Sequence, residues 1–503
     1  MAKVFNRTAS VRPGRSVFNL SYTKLFTCDM GQLIPVLHDE VVPGDHWNIG
    51  NEVVVRMQPM VAPVLHEINC YVHYFFVPYR LLWDEWEDFI TGGVDGESTA
   101  EIPTWSPTLS PVPRNGIGSL WDFLGYPVGV VPSGALPIDF GRRAYNLIYN
   151  EYYRNQNLQD EIPETEEKVK FRNWEKDYFT SSLPWQQRGP APALPISGST
   201  AAVWDDSAFQ PSAGNLNVQV GSAAGNPNLY AQTEIGAYNL KRILNGNEVD
   251  LSSATTFNVA DLRLAFQLQK WAERNARAGV RYVEFLGAHF GVNPRDDRLQ
   301  RPEYIGGTKC PVVISEVLQT SSTDTESPQG NLAGHGIAAD RRFAASYRAT
   351  EFGLVMGIMS IMPRSMYQQG VDRQWLRRTR YDFYFPEFAN LSEQGITHAE
   401  IFAKNADATK NQELFGFIGR YDEMRIKRSL VCGLMRDTLD YWHLGRQFSN
   451  PDTIALNSEF VSCNPDKRIF AAPTEPGFIV SFGNLIRAVR PLPVMSNPGL
   501  IDH

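Results

Sequence analysis

Residues Ile68–Val77 restrict the fold of this chain more than any other segment. The run reads Ile-Asn-Cys-Tyr-Val-His-Tyr-Phe-Phe-Val, and from Tyr71 onward apolar side chains occupy both odd and even positions. Aromatic and β-branched residues favour strands, and a strand that is apolar on both faces must be covered on both faces. The segment therefore predicts an interior strand of a layered β structure.

Several other short runs have the same β character, and Glu52–Met57 is the clearest of them. The further strand candidates are Pro311–Gln319, Gly353–Met362, Tyr381–Phe385, Phe415–Ile418, Glu423–Lys427 and Gly477–Phe482. Long segments rich in proline and glycine separate these runs, which argues against alternating βαβ units. The predicted fold class is mainly β, an antiparallel β-sandwich with long inserted loops and a few helices.

Three segments have the spacing of helices. Leu81–Thr91 ends at a pair of glycines, and Asp139–Arg154 is a second candidate. The clearest helix begins near Asp261 and ends at Gly279, and its apolar residues form two stripes. One stripe contains Leu264, Leu268 and Trp271, and the other contains Leu262 and Phe266. Two apolar stripes predict a core helix that is clamped between two neighbours.

The first 28 residues contain basic side chains and no carboxylate, although the chain as a whole has a net charge of -8. The basic residues are Lys3, Arg7, Arg12, Arg15 and Lys24. We predict that residues 1–28 form an extended basic arm and that Lys3, Arg7, Arg12 and Arg15 contact nucleic acid. An ordinary frayed terminus with a chance excess of positive charge is the alternative.

The stretch 189–258 differs in composition from its surroundings. No lysine or arginine occurs between Arg188 and Lys241, and small polar residues dominate. Within it, Leu216, Val218 and Val220 alternate with polar residues and predict one short strand. A loop of this length without a function is unusual. We predict a surface insertion that makes outside contacts, with a plain flexible loop as the alternative.

A second basic candidate lies between Trp375 and Tyr381, where Arg377, Arg378 and Arg380 are interleaved with aromatic residues. Aromatic faces and guanidinium groups are what single-stranded nucleic acid binds. The alternative is that the aromatic residues belong to the sheet and that the arginines pair with acids at a subunit contact. Both interpretations remain open from the sequence.

The sequence carries none of the common catalytic motifs. No glycine is followed by lysine, which excludes a P-loop, and neither GxSxG nor HExxH occurs. His66-Glu67 begins like the zinc motif, but Cys70 stands where the second histidine belongs. We predict a chain that is not an enzyme and has no catalytic, cofactor or metal site.

Net charge and cysteine usage indicate in which compartment the chain folds and what it can bind. A net charge of -8 excludes a uniformly basic coat for nucleic acid, so any such binding must come from a local patch. The five cysteines are widely spaced and form no CxxC pair, which favours reduced, mostly buried thiols. The start lacks the apolar segment of a signal peptide, and no run is long enough for a membrane helix. We expect a chain that folds in a cytosol and does not insert into a membrane.

Several long blocks, taken in order, resemble the major capsid proteins of microviruses, in particular the gokushovirus-like group. The blocks in the first part of the chain are Ser21–Pro35, Val41–Asp45, Gln58–Pro63, His73–Arg80 and Phe89–Gly93. The later ones are His289–Val292, Arg298–Tyr304, Pro328–Leu332 and Tyr367–Gly370, followed by shorter matches up to Trp442–Leu444. The resemblance runs from about residue 5 to about residue 470 and is interrupted near 189–258.

The resemblance implies a single eight-stranded jelly roll at residues 29–503, with 189–258 as a variable outward insertion. It implies a homo-oligomer of 60 copies, a T=1 icosahedral, non-enveloped shell around circular single-stranded DNA. The implied partners are an internal scaffolding protein, a small basic DNA-binding protein and a host cell-surface receptor. The expected location is the virion, with assembly in the host cell cytoplasm.

One alternative from another class stays open from the residues alone. A β-rich carbohydrate-binding protein or a glycoside-active enzyme would share the aromatic, acidic and turn-rich texture. Two catalytic carboxylates cannot be recognised in a sequence, because their separation is a spatial quantity. Carbohydrate binding or cleavage would not explain why the first 28 residues contain no acid, whereas a shell around DNA would explain it.

Overall fold

The fold is taken from a computed structural model that describes residues 14–190, 192, 218–223, 226–231, 259–279, 281–318 and 332–495. The chain divides into two compact units. One unit comprises Met1–Gln186 together with Arg274–His503, and the other comprises Gln187–Glu273. The first unit contains the sheets described next, and the second contains one hairpin.

The described residues form fourteen strands. They are β1 Ser16–Asn19, β2 Tyr22–Cys28, β3 Ile34–Val41, β4 His46–Met57, β5 Ile68–Pro78, β6 Val218–Ala223, β7 Asn226–Ala231, β8 Glu303–Pro311, β9 Val313–Leu318, β10 Leu332–Arg348, β11 Gly353–Pro363, β12 Glu393–Thr397, β13 Leu414–Gly419 and β14 Phe478–Arg490.

Two antiparallel sheets make the body of the first unit. The larger sheet has the order β1-β14-β4-β10-β9, and β2 also pairs with β14, alongside β1. The smaller sheet has the order β3-β11-β5-β8. Strands β12 and β13 form a separate pair, and β6 and β7 form the hairpin of the second unit. The predicted mainly β, antiparallel sandwich is therefore confirmed at this level.

The strand β5 is covered on both faces, as its sequence predicts. On one side, Tyr74 and Phe76 lie in the core with Phe478 and Phe482 of the larger sheet. On the other side, Phe75 and Val77 pack in a second cluster with aromatic residues of the segment between β5 and β6. These aromatic residues are Trp105, Trp121, Phe140, Tyr145 and Tyr149. Strand β11, which pairs with β5 along its whole length, is buried at every position for the same reason.

The described residues also form nine α-helices. They are α1 Trp86–Thr91, α2 Leu120–Phe123, α3 Phe140–Ile148, α4 Val259–Ala278, α5 Tyr282–Phe290, α6 His398–Ile401, α7 Ala408–Gln412, α8 Asp422–Arg425 and α9 Ser458–Val461. A π-helical turn, Tyr149–Tyr153, continues α3, so the predicted helix at Asp139–Arg154 is confirmed. The predicted helix at Leu81–Thr91 is shorter, because a 3-10 turn at Tyr79–Leu81 precedes α1. The remaining 3-10 turns are Asp296–Leu299, Arg373–Trp375, Arg380–Asp382, Pro386–Phe388, Gly433–Arg436, Asp440–Trp442 and Pro451–Thr453.

Two predicted strands are wrong. Tyr381–Phe385 overlaps the 3-10 turn Arg380–Asp382, because the Asp382 carboxylate accepts hydrogen bonds from the backbone N–H groups of Arg378 and Thr379. Glu423–Lys427 begins inside α8, which ends at Arg425. Both runs have the composition of strands. Side chain to backbone bonds close the turn at Arg380–Asp382 instead, and a backbone bond from the N–H of Ile426 to the oxygen of Asp422 closes the helical turn of α8.

The prediction of a clamped core helix is wrong for α4, although the helix itself is confirmed. Leu264, Phe266, Leu268 and Trp271 are between 47% and 66% exposed. In the same helix Ala272 and Ala276 are buried. Helical spacing indicates which residues share a face, but it does not determine what covers that face. The predicted strand around Val218 and Val220 corresponds to β6, while Leu216 lies outside the described residues.

Candidate nucleic-acid interface

The predicted site residues fall in two places. Lys3, Arg7 and Arg12 lie outside the described residues. Arg15 is exposed and stands immediately before β1, at one side of the larger sheet. Arg377, Arg378 and Arg380 lie together on the connection between β11 and β12, which is a different part of the first unit.

Arg377 is held inside the protein by a carboxylate. Its Nη2 lies 3.1 Å from Oε1 of Glu423, and the two side chains are 12% and 8% exposed. Gln394 donates from Nε2 to the other oxygen of Glu423 at 2.8 Å. Burial by itself would raise the pKa of Glu423, but the bonds from Gln394 and Arg377 hold the pKa below its usual range. Arg377 therefore orders this connection through an ion pair within the chain.

Arg378 and Arg380 are exposed to solvent. The Arg378 guanidinium donates to the backbone oxygen of Arg377, at 3.4 Å. The Arg380 guanidinium lies 4.8 Å from the centre of the Tyr381 ring and donates to the Tyr381 hydroxyl at 2.7 Å. An exposed guanidinium that rests on an aromatic ring offers a flat cationic surface to a base or a phosphate.

Sequence reasoning missed the residues that surround this pair. Arg420 donates to the backbone oxygen of Tyr381 at 2.9 Å, and its guanidinium lies 4.8 Å from the centre of the Tyr421 ring. Arg425 and Lys427 are exposed at the end of α8. The segments 371–391 and 420–436 together contain nine basic and five acidic residues. The basic run from Arg425 to Arg428 was the available signal, but it was interpreted as part of a strand.

Exposed apolar side chains lie among these basic groups. The most exposed are Trp375, Phe383, Leu391, Met424 and Leu434. Aromatic side chains and arginine are enriched in protein interfaces. The surface is therefore suited either to nucleic acid or to another protein subunit.

The described residues contain no group of three or more His, Cys, Asp or Glu side chains that could hold a metal ion. Among these same residues, no helix combines the length and the apolar character that a membrane span requires. His66, the start of the incomplete zinc motif, is committed to the backbone: its Nε2 lies 2.7 Å from the oxygen of Arg364, and the N–H of Leu444 donates to its Nδ1 at 3.4 Å.

Comparison with known proteins identifies the class. The family described as "Capsid protein (F protein)" matches residues 7–500. The chain is 35% identical to the capsid protein VP1 of Chlamydia phage 1, across 98% of this chain and 96% of that protein. It is also 35% identical to the capsid protein VP1 of Bdellovibrio phage phiMH2K, across 97% and 96%. The capsid protein VP1 of Spiroplasma virus 4 is 28% identical, across 97% and 95%.

The chain belongs to this family of phage capsid proteins. It is a major capsid protein of the gokushovirus-like type, and its place is the virion. The resemblance in the sequence motifs is thereby confirmed. The family is a structural one, and its membership gives no support to the alternative of a carbohydrate-active protein.

Proposed function

We propose that this chain is the subunit of a T=1 icosahedral shell, in which 60 copies enclose a circular single-stranded DNA genome. The observation that carries the proposal is the match to capsid proteins along nearly the entire chain. A closed shell repeats a few contacts by symmetry, so each subunit needs several separate surfaces. The exposed apolar and basic segments 371–391 and 420–436 are one surface of the required kind.

The finer fold that we propose is an eight-stranded jelly roll. Its larger sheet would consist of β2, β14, β4 and β10, and its smaller sheet of β3, β11, β5 and β8. Support comes from the path of the chain, because β2, β3, β4 and β5 alternate between the two sheets, and β8, β10, β11 and β14 alternate again. Two sheets that close face to face are one way in which all-β proteins manage their exposed edges.

The proposed DNA contacts come from residues 1–28, through Lys3, Arg7, Arg12 and Arg15, and from Arg377, Arg378 and Arg380. Arg377 would act indirectly, since its guanidinium is paired with Glu423. A subunit with a net charge of -8 does not neutralise a genome by itself. A small basic DNA-binding protein is therefore a proposed partner, together with an internal scaffolding protein.

Residues 189–258 are the proposed outward insertion that meets the host cell-surface receptor. The proposed capsid domain 29–503 carries it, and β1 and β2 of the N-terminal segment complete the larger sheet of that domain. Support comes from the absence of basic residues between Arg188 and Lys241 and from the excess of small polar residues. The unit Gln187–Glu273 covers nearly the same part of the chain. Assembly in the host cell cytoplasm accords with five free cysteines, of which four are buried.

Electron microscopy of the full chain tests the proposal. The chain is expressed alone and together with the other structural proteins of its phage, and the particles are negatively stained after nuclease treatment. Shells of one diameter that protect single-stranded DNA are the expected result. A monodisperse monomer at high protein concentration, unchanged across salt and pH and with every co-expressed protein, would contradict the proposal.

A further inference from the structure

The face of the larger sheet that points away from the protein core, called its outward face below, has a defined arrangement of side chains. Successive residues of a strand point to opposite faces, so every second residue belongs to it. Across the three central strands β14, β4 and β10, one row contains Leu485, Gly50 and Phe343. Two residues further along β14, toward its C-terminal end, the row contains Arg487, Asn48 and Ser346. Two residues in the opposite direction, the row contains Gly483, Glu52 and Arg341.

The Phe343 side chain is exposed to solvent near the middle of this face. It is 67% exposed, although Phe343 belongs to an inner strand of the sheet. The residue opposite it on β4 is Gly50, and beyond Gly50 lies Leu485. A Cβ at position 50 would come within 2.9 Å of the backbone oxygen of Arg342. The result is a shallow depression beside an exposed aromatic ring, with Val17, Asn19 and Asn48 along its rim.

The charge on this face is opposite to that of the whole chain. At the outward positions of the six strands, the described residues include four arginines and one carboxylate. These are Arg56, Arg341, Arg348, Arg487 and Glu52. Arg341 and Glu52 are 3.9 Å apart with side chains 71% and 52% exposed, and such a pair is weak. The guanidinium groups therefore remain available to a polyanion.

The N-terminal residues reach the same face. β1 pairs with β14, and Asn19 is the register partner of Arg487. Residues 1–28, which contain β1 and the whole of β2, carry no acid, and Arg15 is exposed just before β1. Arg15 and the arginines of the face are therefore brought to one side of the larger sheet.

We propose that this face binds single-stranded nucleic acid, with a base stacked on Phe343 and phosphates held by Arg341 and Arg487. The inference rests on the proposed function and adds the site at which the subunit holds its genome. An exposed ring between guanidinium groups is the arrangement that unpaired bases and their backbone require. A two-fold contact with a second copy of this chain is disfavoured, because the four arginines would then face their equivalents and protein interface cores are depleted in charge.

The test measures binding of a fluorescent thirty-residue oligothymidylate to the full chain, by anisotropy at several salt concentrations. Phe343→Ala is expected to weaken binding about 5- to 100-fold, the range for one stacked base, with the salt dependence unchanged. Phe343→Tyr keeps the ring and is expected to bind as the native chain does. The double variant Arg341→Gln, Arg487→Gln is expected to lower the slope of log affinity against log salt by about 1.4.

Arg364→Gln is the matched control, because Arg364 is an exposed arginine paired with an exposed glutamate, Glu67, as Arg341 is with Glu52. Native affinity and native salt slope in both Phe343→Ala and the double variant would overturn the inference, and so would an equal loss in Arg364→Gln. If Phe343→Ala stops particle formation while oligothymidylate binding is unchanged, the face is a contact between copies and the inference is wrong. All three results leave the proposed function standing as long as the native chain forms DNA-filled shells.

Discussion

Arg490, at the end of β14, donates from Nε to the carboxylate of Asp45 at 2.9 Å, and Asp45 is completely buried. The same carboxylate oxygen accepts the indole N–H of Trp47 at 3.1 Å. The Arg490 guanidinium also lies 5.3 Å from the centre of the Trp47 ring. The last strand of the larger sheet is therefore fastened to the turn that begins β4 by a charge that water does not reach.

Replacing Arg490 by glutamine is expected to lower the free energy of unfolding by about 3 kcal/mol, because the buried Asp45 carboxylate loses its cation. Urea unfolding of the unassembled chain measures the change. Arg364→Gln breaks an exposed pair and should cost less than about 1 kcal/mol. Equal effects of the two substitutions would show that Asp45 does not depend on Arg490.

Arg377 and Arg378 are neighbours in sequence with opposite surroundings, and they make a matched pair. Arg377→Gln should cost about 3 kcal/mol in the same unfolding experiment, because Glu423 is left buried without its partner. Arg378→Gln should change stability by less than about 0.5 kcal/mol, because its side chain is exposed. A loss of DNA content in Arg378→Gln particles of normal stability would support its proposed contact with nucleic acid, and normal DNA content would count against that contact.

Gly31 and Gly118 both have a positive φ, +78° and +75°, and differ in the space around them. A Cβ at Gly31 would come within 1.8 Å of the backbone oxygen of Cys463, whereas a Cβ at Gly118 would meet nothing within 4 Å. Gly118→Ala should therefore cost only the backbone strain, about 1 kcal/mol. Gly31→Ala should cost several times more or prevent soluble expression. Similar unfolding midpoints for the two variants would contradict the close approach of Gly31 to Cys463.

His66 should make the chain sensitive to acid. Burial lowers its pKa to about 4, from an ordinary value near 6.5. As the pH falls below 6.5, the unfolded chain takes up a proton that the folded chain does not, so stability is lost progressively until the pH reaches about 4. The loss from this residue is up to about 3 kcal/mol. His66→Gln should flatten the stability profile between pH 6.5 and 4, and an unchanged slope would show that His66 titrates alike in both states.

Removal of residues 1–15, which end just before β1, should lower the DNA content of particles and weaken its dependence on salt. Each lost phosphate contact removes about 0.7 from the slope of log affinity against log salt. A full-length variant with Lys3, Arg7, Arg12 and Arg15 changed to glutamine separates charge from length. If its DNA content equals that of native particles, the arm does not bind the genome through its charge.

Local patterns in the sequence were sufficient to identify β5 and β11, the two inner strands of the smaller sheet, but they missed β10, an inner strand of the larger sheet. Ile68–Val77 and Gly353–Met362 are apolar on both parities, and the structure covers both of their faces. Tyr381–Phe385 failed because Asp382 closes a turn through backbone bonds, which outweigh the β character of its neighbours. The composition of a segment therefore indicates its strand propensity, but it does not reveal the side chain to backbone bonds that close a turn.

The candidate site could be predicted only in part, because its contacts join residues that are far apart in the sequence. The sequence placed Arg377, Arg378 and Arg380 together, but it contained no sign that Arg377 is neutralised by Glu423. Phe343 was not recognised at all, because its exposure depends on Gly50 standing opposite it on another strand. Register between distant strands is a property of the whole fold, and single-sequence patterns do not contain it.

Strand β14 lies inside the larger sheet, with β4 on one side and β1 and β2 on the other, although it is the last strand of the described chain. During synthesis, β1, β2 and β4 cannot form their hydrogen bonds to β14 until translation has passed Arg490. A ribosome that stops early therefore releases a polypeptide whose sheet is open at its centre. We therefore expect a chain that ends before β14 to expose unpaired strand edges and to lack the folded surfaces through which a subunit joins its neighbours.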